Sequence, residues 1–301
     1  MVDLSVELCG VRLQNPVIPA SGTFGFGREM SEFYDLNVLG SISVKGTTLQ
    51  PRFGNPTPRI AECAAGMLNS VGLQNPGAER VVAEELPHLR KIFSQPVIGN
   101  ICGFSVEEYR ECCRIVAPHV ELVELNISCP NVHNGGMAFG TRPEGAAEVV
   151  RAVREVCNKP LIVKLSPNVT DIVSIAKACE EAGADGLTLI NTLLGMRIDI
   201  RRRQPILANK MGGFSGPSVF PVALRMVYQV SHACHIPVVG CGGVASAEDV
   251  VEMMMAGATA VQVGSENLRN PFACQQIVEN LPSVMKDLNI NKLSEIIGII
   301  E

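Results

Sequence analysis

Much of the chemistry open to this 301-residue chain is excluded by what the sequence lacks. No apolar run approaches bilayer-spanning length, and Met1 to Asn15 mixes Asp3, Glu7 and Arg12 with its apolar residues, unlike a secretory signal. A soluble, cytoplasmic protein without a membrane partner is expected. There is no long basic block either: 25 Lys and Arg against 30 Asp and Glu leave a net charge of −5, so nucleic acid is not an expected partner. The short Arg201-Arg202-Arg203 run reads as a solvated loop or a local anion contact. None of the 11 cysteines forms a C-x-x-C pair, and Cys112-Cys113 fall in a helical pattern, which argues against zinc, an iron–sulfur cluster or any other metal on this chain. An odd cysteine count without an export signal points to reduced thiols. A G-x-G-x-x-G turn is missing after the first strand, so this is not the usual dinucleotide-binding sheet. With no Ser/Pro-rich linker or low-complexity stretch, residues 1–301 read as a single domain.

What is present alternates. Short β-rich runs are separated by longer amphipathic segments, the α/β pattern. The strands are expected at Val17–Ala20, Gly40–Val44, Val97–Asn100, Leu122–Ile127, Leu161–Leu165, Gly186–Ile190, Pro237–Gly240 and Ala260–Val263. Helices are expected at Ala78–Phe93, Val106–Ala117, Pro143–Cys157, Asp171–Ala182, Val219–Ala233, Ala247–Ala256 and Pro271–Met285. Ser105, Thr170 and Ser246 supply start signals, and Gly183 and Gly257 close helices. Eight strand–helix units fit a (β/α)₈ TIM barrel better than an open doubly wound sheet. Val6–Leu13, with Gly10 at its middle, reads as a hairpin closing the barrel's bottom. Gly46–Pro76 is long for a connection and is expected to fold over the mouth.

The polar residues gather where each strand ends, which in such barrels is the catalytic face. Ser21 follows the first strand and Lys45-Gly46 the second, Asn100 ends the third, and Asn126 the fourth. Lys164 lies in the fifth, and Asn191-Thr192 follow the sixth. Gly242-Gly243 and Gly264-Ser265, after the seventh and eighth, suit phosphate oxygens approached by backbone N–H groups, helped by the helix starting near Ala247. Cys129 stands apart from the other cysteines. The stretch Asn126-Ile127-Ser128-Cys129-Pro130-Asn131 sets a thiol among polar side chains just where an apolar run stops, so it reads as a reagent. Cys102 and Cys241 read as packing residues or as oxidation-sensitive neighbours of the site.

Across nearly its whole length the chain resembles the dihydroorotate dehydrogenases, FMN-dependent (β/α)₈ barrels of pyrimidine biosynthesis. The resemblance rests on Val44-Lys45-Gly46-Thr47-Thr48, Pro51-Arg52-Phe53-Gly54-Asn55-Pro56 and Asn69-Ser70-Val71-Gly72-Leu73-Gln74-Asn75-Pro76-Gly77. It extends through the Cys129 loop, Val163-Lys164-Leu165-Ser166-Pro167, Gly212-Gly213-Phe214-Ser215-Gly216-Pro217 and Gly240-Cys241-Gly242-Gly243. Cysteine at 129 is similar to the soluble class 1, whereas the membrane-associated class uses serine. The Lys-Gly-Thr-Thr and Gly-Leu-Gln-Asn-Pro-Gly forms are most similar to the catalytic FMN subunit of the NAD-linked subtype (class 1B).

That resemblance implies oxidation of dihydroorotate to orotate, with Cys129 taking the C5 proton and FMN N5 the hydride from C6. A free thiol has a pKa near ~8.5, so the loop must favour thiolate or relay the proton. A covalent nucleophile would want a histidine nearby, and His133 is the only one in the loop. Amide side chains match the N–H and C=O groups of a pyrimidine ring, which makes Asn69, Asn126, Asn131 and Asn191 candidate substrate ligands. Thr192 and the backbone of Ser70, Val71, Gly72 and Leu73 complete that pocket by resemblance. The family assigns Lys164 to the reduced flavin near N1, and Lys45 to both flavin and the orotate carboxylate. Ser21, Gly46, Asn100, Ile190 and Gly216 complete the implied FMN shell, with Asn126 shared between flavin and substrate. Asn131–Thr141 reads as a lid over the thiol.

The NAD-linked subtype further implies a partner subunit carrying FAD and a [2Fe-2S] cluster, in a heterotetramer with two copies of each chain. Other readings are a fumarate-reducing homodimer, a dihydropyrimidine dehydrogenase-like subunit and, from a different class, a Schiff-base lyase using Lys164.

Overall fold

Short Val, Ile and Leu runs buried on both faces become the inner strands of a parallel sheet, because helices cover the outside and side chains fill the centre. The computed structural model describes residues 2–128 and 139–301. Within them the strands β1 (Val17–Pro19), β2 (Ile42–Ser43), β3 (Val97–Ile101) and β4 (Leu122–Asn126) are followed by β5 (Leu161–Lys164), β6 (Gly186–Leu189), β7 (Val238–Cys241) and β8 (Ala258–Val263). They pair in the order β1-β8-β7-β6-β5-β4-β3-β2, every pair parallel. The Gly40 N–H donates to the Val17 carbonyl at 3.1 Å and joins the two ends, closing the (β/α)₈ ring.

That seam is tight. A Cβ at Gly40 would lie 1.9 Å from the Asn15 carbonyl oxygen. Asn15 is itself buried, its Nδ2 donating to Val38 O at 2.8 Å and its Oδ1 accepting from Val17 N–H at 3.1 Å. Gly40→Ala is expected to cost about 3 kcal/mol or more, since backbone rather than a flexible side chain has to move. Urea unfolding checks this, and an unchanged midpoint would show that the seam yields freely.

The outer helices span 78–92, Val106–Val116, Pro143–Arg154, Ile172–Glu181, Phe220–Ser231, Ala247–Met255 and Ala273–Asp287. Ser105 caps its helix by accepting from Glu108 N–H, and Ser246 forms a capping box with Asp249. At the fifth unit the cap is Asp171 rather than Thr170, because the Asp171 carboxylate accepts both Val173 N–H and Ser174 N–H. Gly183 and Gly257 close their helices at φ 102° and 116°, a left-handed turn that side chains resist.

The opening hairpin, Val6–Leu8 against Val11–Leu13, lies at the barrel's bottom, where the Cys9 thiol donates to Asp185 O at 3.1 Å beside the start of β6. At the same end Asp3 N–H donates to Asn291 O at 2.8 Å, and Gly298 N–H to Met254 O at 2.9 Å.

Over the mouth sits a four-stranded antiparallel sheet in the order Leu193–Met196, Met211–Ser215, Gly66–Asn69, Ile60–Cys63. The Gly46–Pro76 segment therefore supplies only half of the cap. The other half comes from the connection after β6, with Asn69 paired to Gly213 in register. Among the described residues, no helix is long and apolar enough to cross a membrane.

Candidate active site

Alternation along the strands decides which side chains reach the barrel axis. In β4 the inward positions include Glu124 in the middle of an apolar run, and its side chain is completely buried. Such a carboxylate needs donors on every side. Oε2 accepts from Asn100 Nδ2 at 2.6 Å and Ser43 Oγ at 3.1 Å, while Oε1 accepts from Gln262 Nε2 at 2.6 Å and Thr188 Oγ1 at 2.8 Å. Four strands other than its own thus converge on one carboxylate. Both oxygens therefore accept two hydrogen bonds each, the full set of partners a buried carboxylate calls for.

Above it, Lys164 at the end of β5 is 5% exposed and lines the cavity in the mouth. Its ammonium donates to Gln262 Oε1 at 2.8 Å and lies 3.9 Å from Glu124 Oε2. Burial pulls the lysine's pKa down, but the groups around it, Glu124 foremost, together hold it above its ordinary value. The cavity is about 300 Å³.

The amides stand on the wall above this floor. Asn126 pairs with Lys164 in register across β4 and β5. Its Oδ1 accepts from Asn191 Nδ2 at 3.2 Å and Ser128 N–H at 3.2 Å, and Asn191 Oδ1 accepts from Thr192 N–H at 2.8 Å. Ser128 Oγ donates to Lys164 O at 2.8 Å, tying the end of β4 to β5. From the cap comes Asn69, with the turn from Ser70 to Leu73 held by Asn55, which donates from its N–H to Val71 O and from Nδ2 to Ser70 O. The Ser70 hydroxyl is buried at the cavity wall without a partner, a polar atom left for a ligand.

Ser21, Lys45, Gly46, Ile190, Gly242, Gly243, Gly264 and Ser265 border the same cavity. The nearest atom to a Cβ built on Gly264 is Ala20 Cβ at 4.0 Å, so that turn faces open space. Just before the helix starting at Ala247, Asp249 accepts Ala245 N–H and Ser246 N–H, and the residues of that first turn are not among those bordering this cavity.

Two of the expected residues stand apart from the wall. Asn100 is fully buried under it, as a partner of Glu124, and Gly216 sits next to the wall residue Ser215. Cys129, Asn131 and most of the expected lid Asn131–Thr141 lie outside the described residues. Cys102 and Cys241 are buried, and burial pushes the Cys241 thiol above its ordinary range.

Sequence reading missed Glu124, Gln262, Thr188 and Ser43. A signal existed: Glu124 and Gln262 each stand two residues before a mouth residue, Asn126 and Gly264, and so share its inward face. It also missed the wall residues Phe214 and Ser215, which the second half of the cap delivers.

A closed parallel barrel with a buried ammonium at its centre, glycine turns after β7 and β8 and an amide-lined mouth defines a (β/α)₈ enzyme. Residues 3–285 match the family model described as dihydroorotate dehydrogenase, and the chain belongs to that family. It is 59% identical over 297 residues to the dihydroorotate dehydrogenase B (NAD(+)), catalytic subunit, of Geobacillus kaustophilus, covering 98% of this chain and 95% of that one. The subunits of the same name from Bacillus caldolyticus and Anoxybacillus flavithermus are 58% and 57% identical over the same 297 residues, with the same coverage.

Proposed function

We propose that this chain, acting as one FMN-binding unit, is the catalytic subunit of a cytoplasmic NAD-linked dihydroorotate dehydrogenase, oxidising (S)-dihydroorotate to orotate in de novo UMP synthesis. The observation that carries this reading is the stacking of an amide-lined cavity directly over Lys164. The residues fit FMN. Gly242, Gly243, Gly264 and Ser265 would hold its phosphate. Ser21, Lys45, Gly46, Asn100, Asn126, Lys164, Ile190 and Gly216 would surround the rest of it. When bound, FMN supplies the acceptor for the C6 hydride.

Asn69, Asn126, Asn131, Asn191 and Thr192 orient the pyrimidine ring, with the unpartnered Ser70 hydroxyl and the backbone of Val71, Gly72 and Leu73 closing round it. Lys45 neutralises the substrate carboxylate. Cys129 removes the C5 proton. Lys164 would hold its positive charge toward the flavin when FMN is bound. That charged state disfavours the Schiff-base reading, since a lysine nucleophile must be neutral to attack. Electrons leave through a partner subunit with FAD and a [2Fe-2S] cluster, in a heterotetramer of two copies of each chain.

The test is an absorption spectrum of the purified chain, followed by anaerobic dihydroorotate. A flavin band that bleaches is the expected result. Correctly folded protein that takes up no FMN would sink the reading. Reoxidation of the bleached chain by fumarate alone would replace the NAD-linked subtype with the homodimeric one.

A further inference from the structure

We infer that Glu124 is a positioning residue: its carboxylate, acting directly and through Gln262, keeps Lys164 charged and aimed at the cavity whether the flavin is oxidised or reduced. This rests on the FMN reading above and goes beyond it, since that reading gives no role to Glu124 or Gln262.

An ammonium that is 5% exposed loses nearly all of its hydration, and burial alone drives a lysine towards the neutral amine. Lys164 donates one hydrogen bond downward, to Gln262. The Gln262 amide then donates to Glu124, so one side chain relays the negative charge to the positive one and fixes the lysine's direction. The direct separation of 3.9 Å adds an unscreened attraction. The other ionisable groups around Lys164 contribute less. Cys241, at the end of β7, has its thiol pushed up by burial and stays neutral, and Lys45, at the mouth, is of like charge. Cys102, after β3, is fully buried and its thiol donates to Asn100. Glu124 is therefore the anion that balances Lys164 before any ligand arrives.

The consequence is a proton count. With Lys164 already charged, adding two electrons to the flavin takes up one proton, at N5, and the remaining negative charge faces the lysine. Without Glu124, Lys164 is neutral under the oxidised flavin and becomes protonated when the ring turns anionic, so two electrons bring in two protons. The midpoint potential then falls twice as steeply with pH.

The measurement is a potentiometric titration of the bound flavin, with redox dyes, from about pH 7 to pH 9, well above the ~5–6 that burial can give a lysine. Glu124→Gln preserves the side chain's size and is expected to double the slope from one proton to two per electron pair. The double variant Glu124→Gln/Gln262→Glu moves the carboxylate onto the residue that already accepts from Lys164, and is expected to return to one proton. A one-proton slope in Glu124→Gln would overturn the inference, as would a two-proton slope in the double variant. If Glu124→Gln does not fold, the double variant decides by its own slope. A purely structural role for Glu124 would leave the proton count unmoved. A wild-type chain without flavin would instead sink the functional reading, and this inference with it.

Discussion

Replacing Cys129 with alanine is expected to slow the anaerobic reduction of bound flavin by dihydroorotate by about 10²–10⁴-fold, the usual contribution of a positioned base. Flavin content should be unchanged, because the proposed FMN shell does not include this residue. The expectation rests on the sequence together with the anchoring of the residues just before the thiol. Ser128 lines the cavity and is tied to Lys164 O at 2.8 Å and to Asn126 Oδ1 at 3.2 Å, so the chain is fixed against the substrate wall up to the residue preceding Cys129. Stopped-flow absorbance reads the effect directly. A loss smaller than about tenfold would remove Cys129 from the role of base.

Lys164→Met should act on both folding and cofactor. It leaves the Glu124 carboxylate buried with neutral donors only, and breaking a buried pair by removing one partner costs about 3–5 kcal/mol. Flavin should be lost on gel filtration as well. Adding Glu124→Gln to Lys164→Met removes the stranded charge and is expected to recover most of the stability but none of the flavin affinity. Urea unfolding and the flavin-to-protein absorbance ratio separate the two effects. A Lys164→Met protein that unfolds at the wild-type midpoint and keeps its flavin would refute both the buried pair and the cofactor assignment.

The barrel was legible because its signals are local. Val97–Ile101 and residues 122–125 are buried without a break, and Ser105 and Ser246 cap helices through bonds reaching only a few residues. Thr170 misled because Asp171 beside it is the stronger acceptor for two N–H groups. The cap was half legible. Its central pairing, Gly66–Asn69 against Met211–Ser215, joins segments far apart in sequence, and Gly212-Gly213 hides the strand's alternation. The mouth residues could be read because most are polar groups at strand ends. The carboxylate beneath them could not, since its meaning depends on donors from four other strands.

The contacts of Asp3 with Asn291 and of Gly298 with Met254 lie at the base of the barrel, opposite the mouth. A purification tag, a dye or a surface tether placed at either end of the described chain would therefore leave the opening turned toward solution. Such a linkage would let bound flavin be observed on immobilised protein without hindering the arrival of substrate.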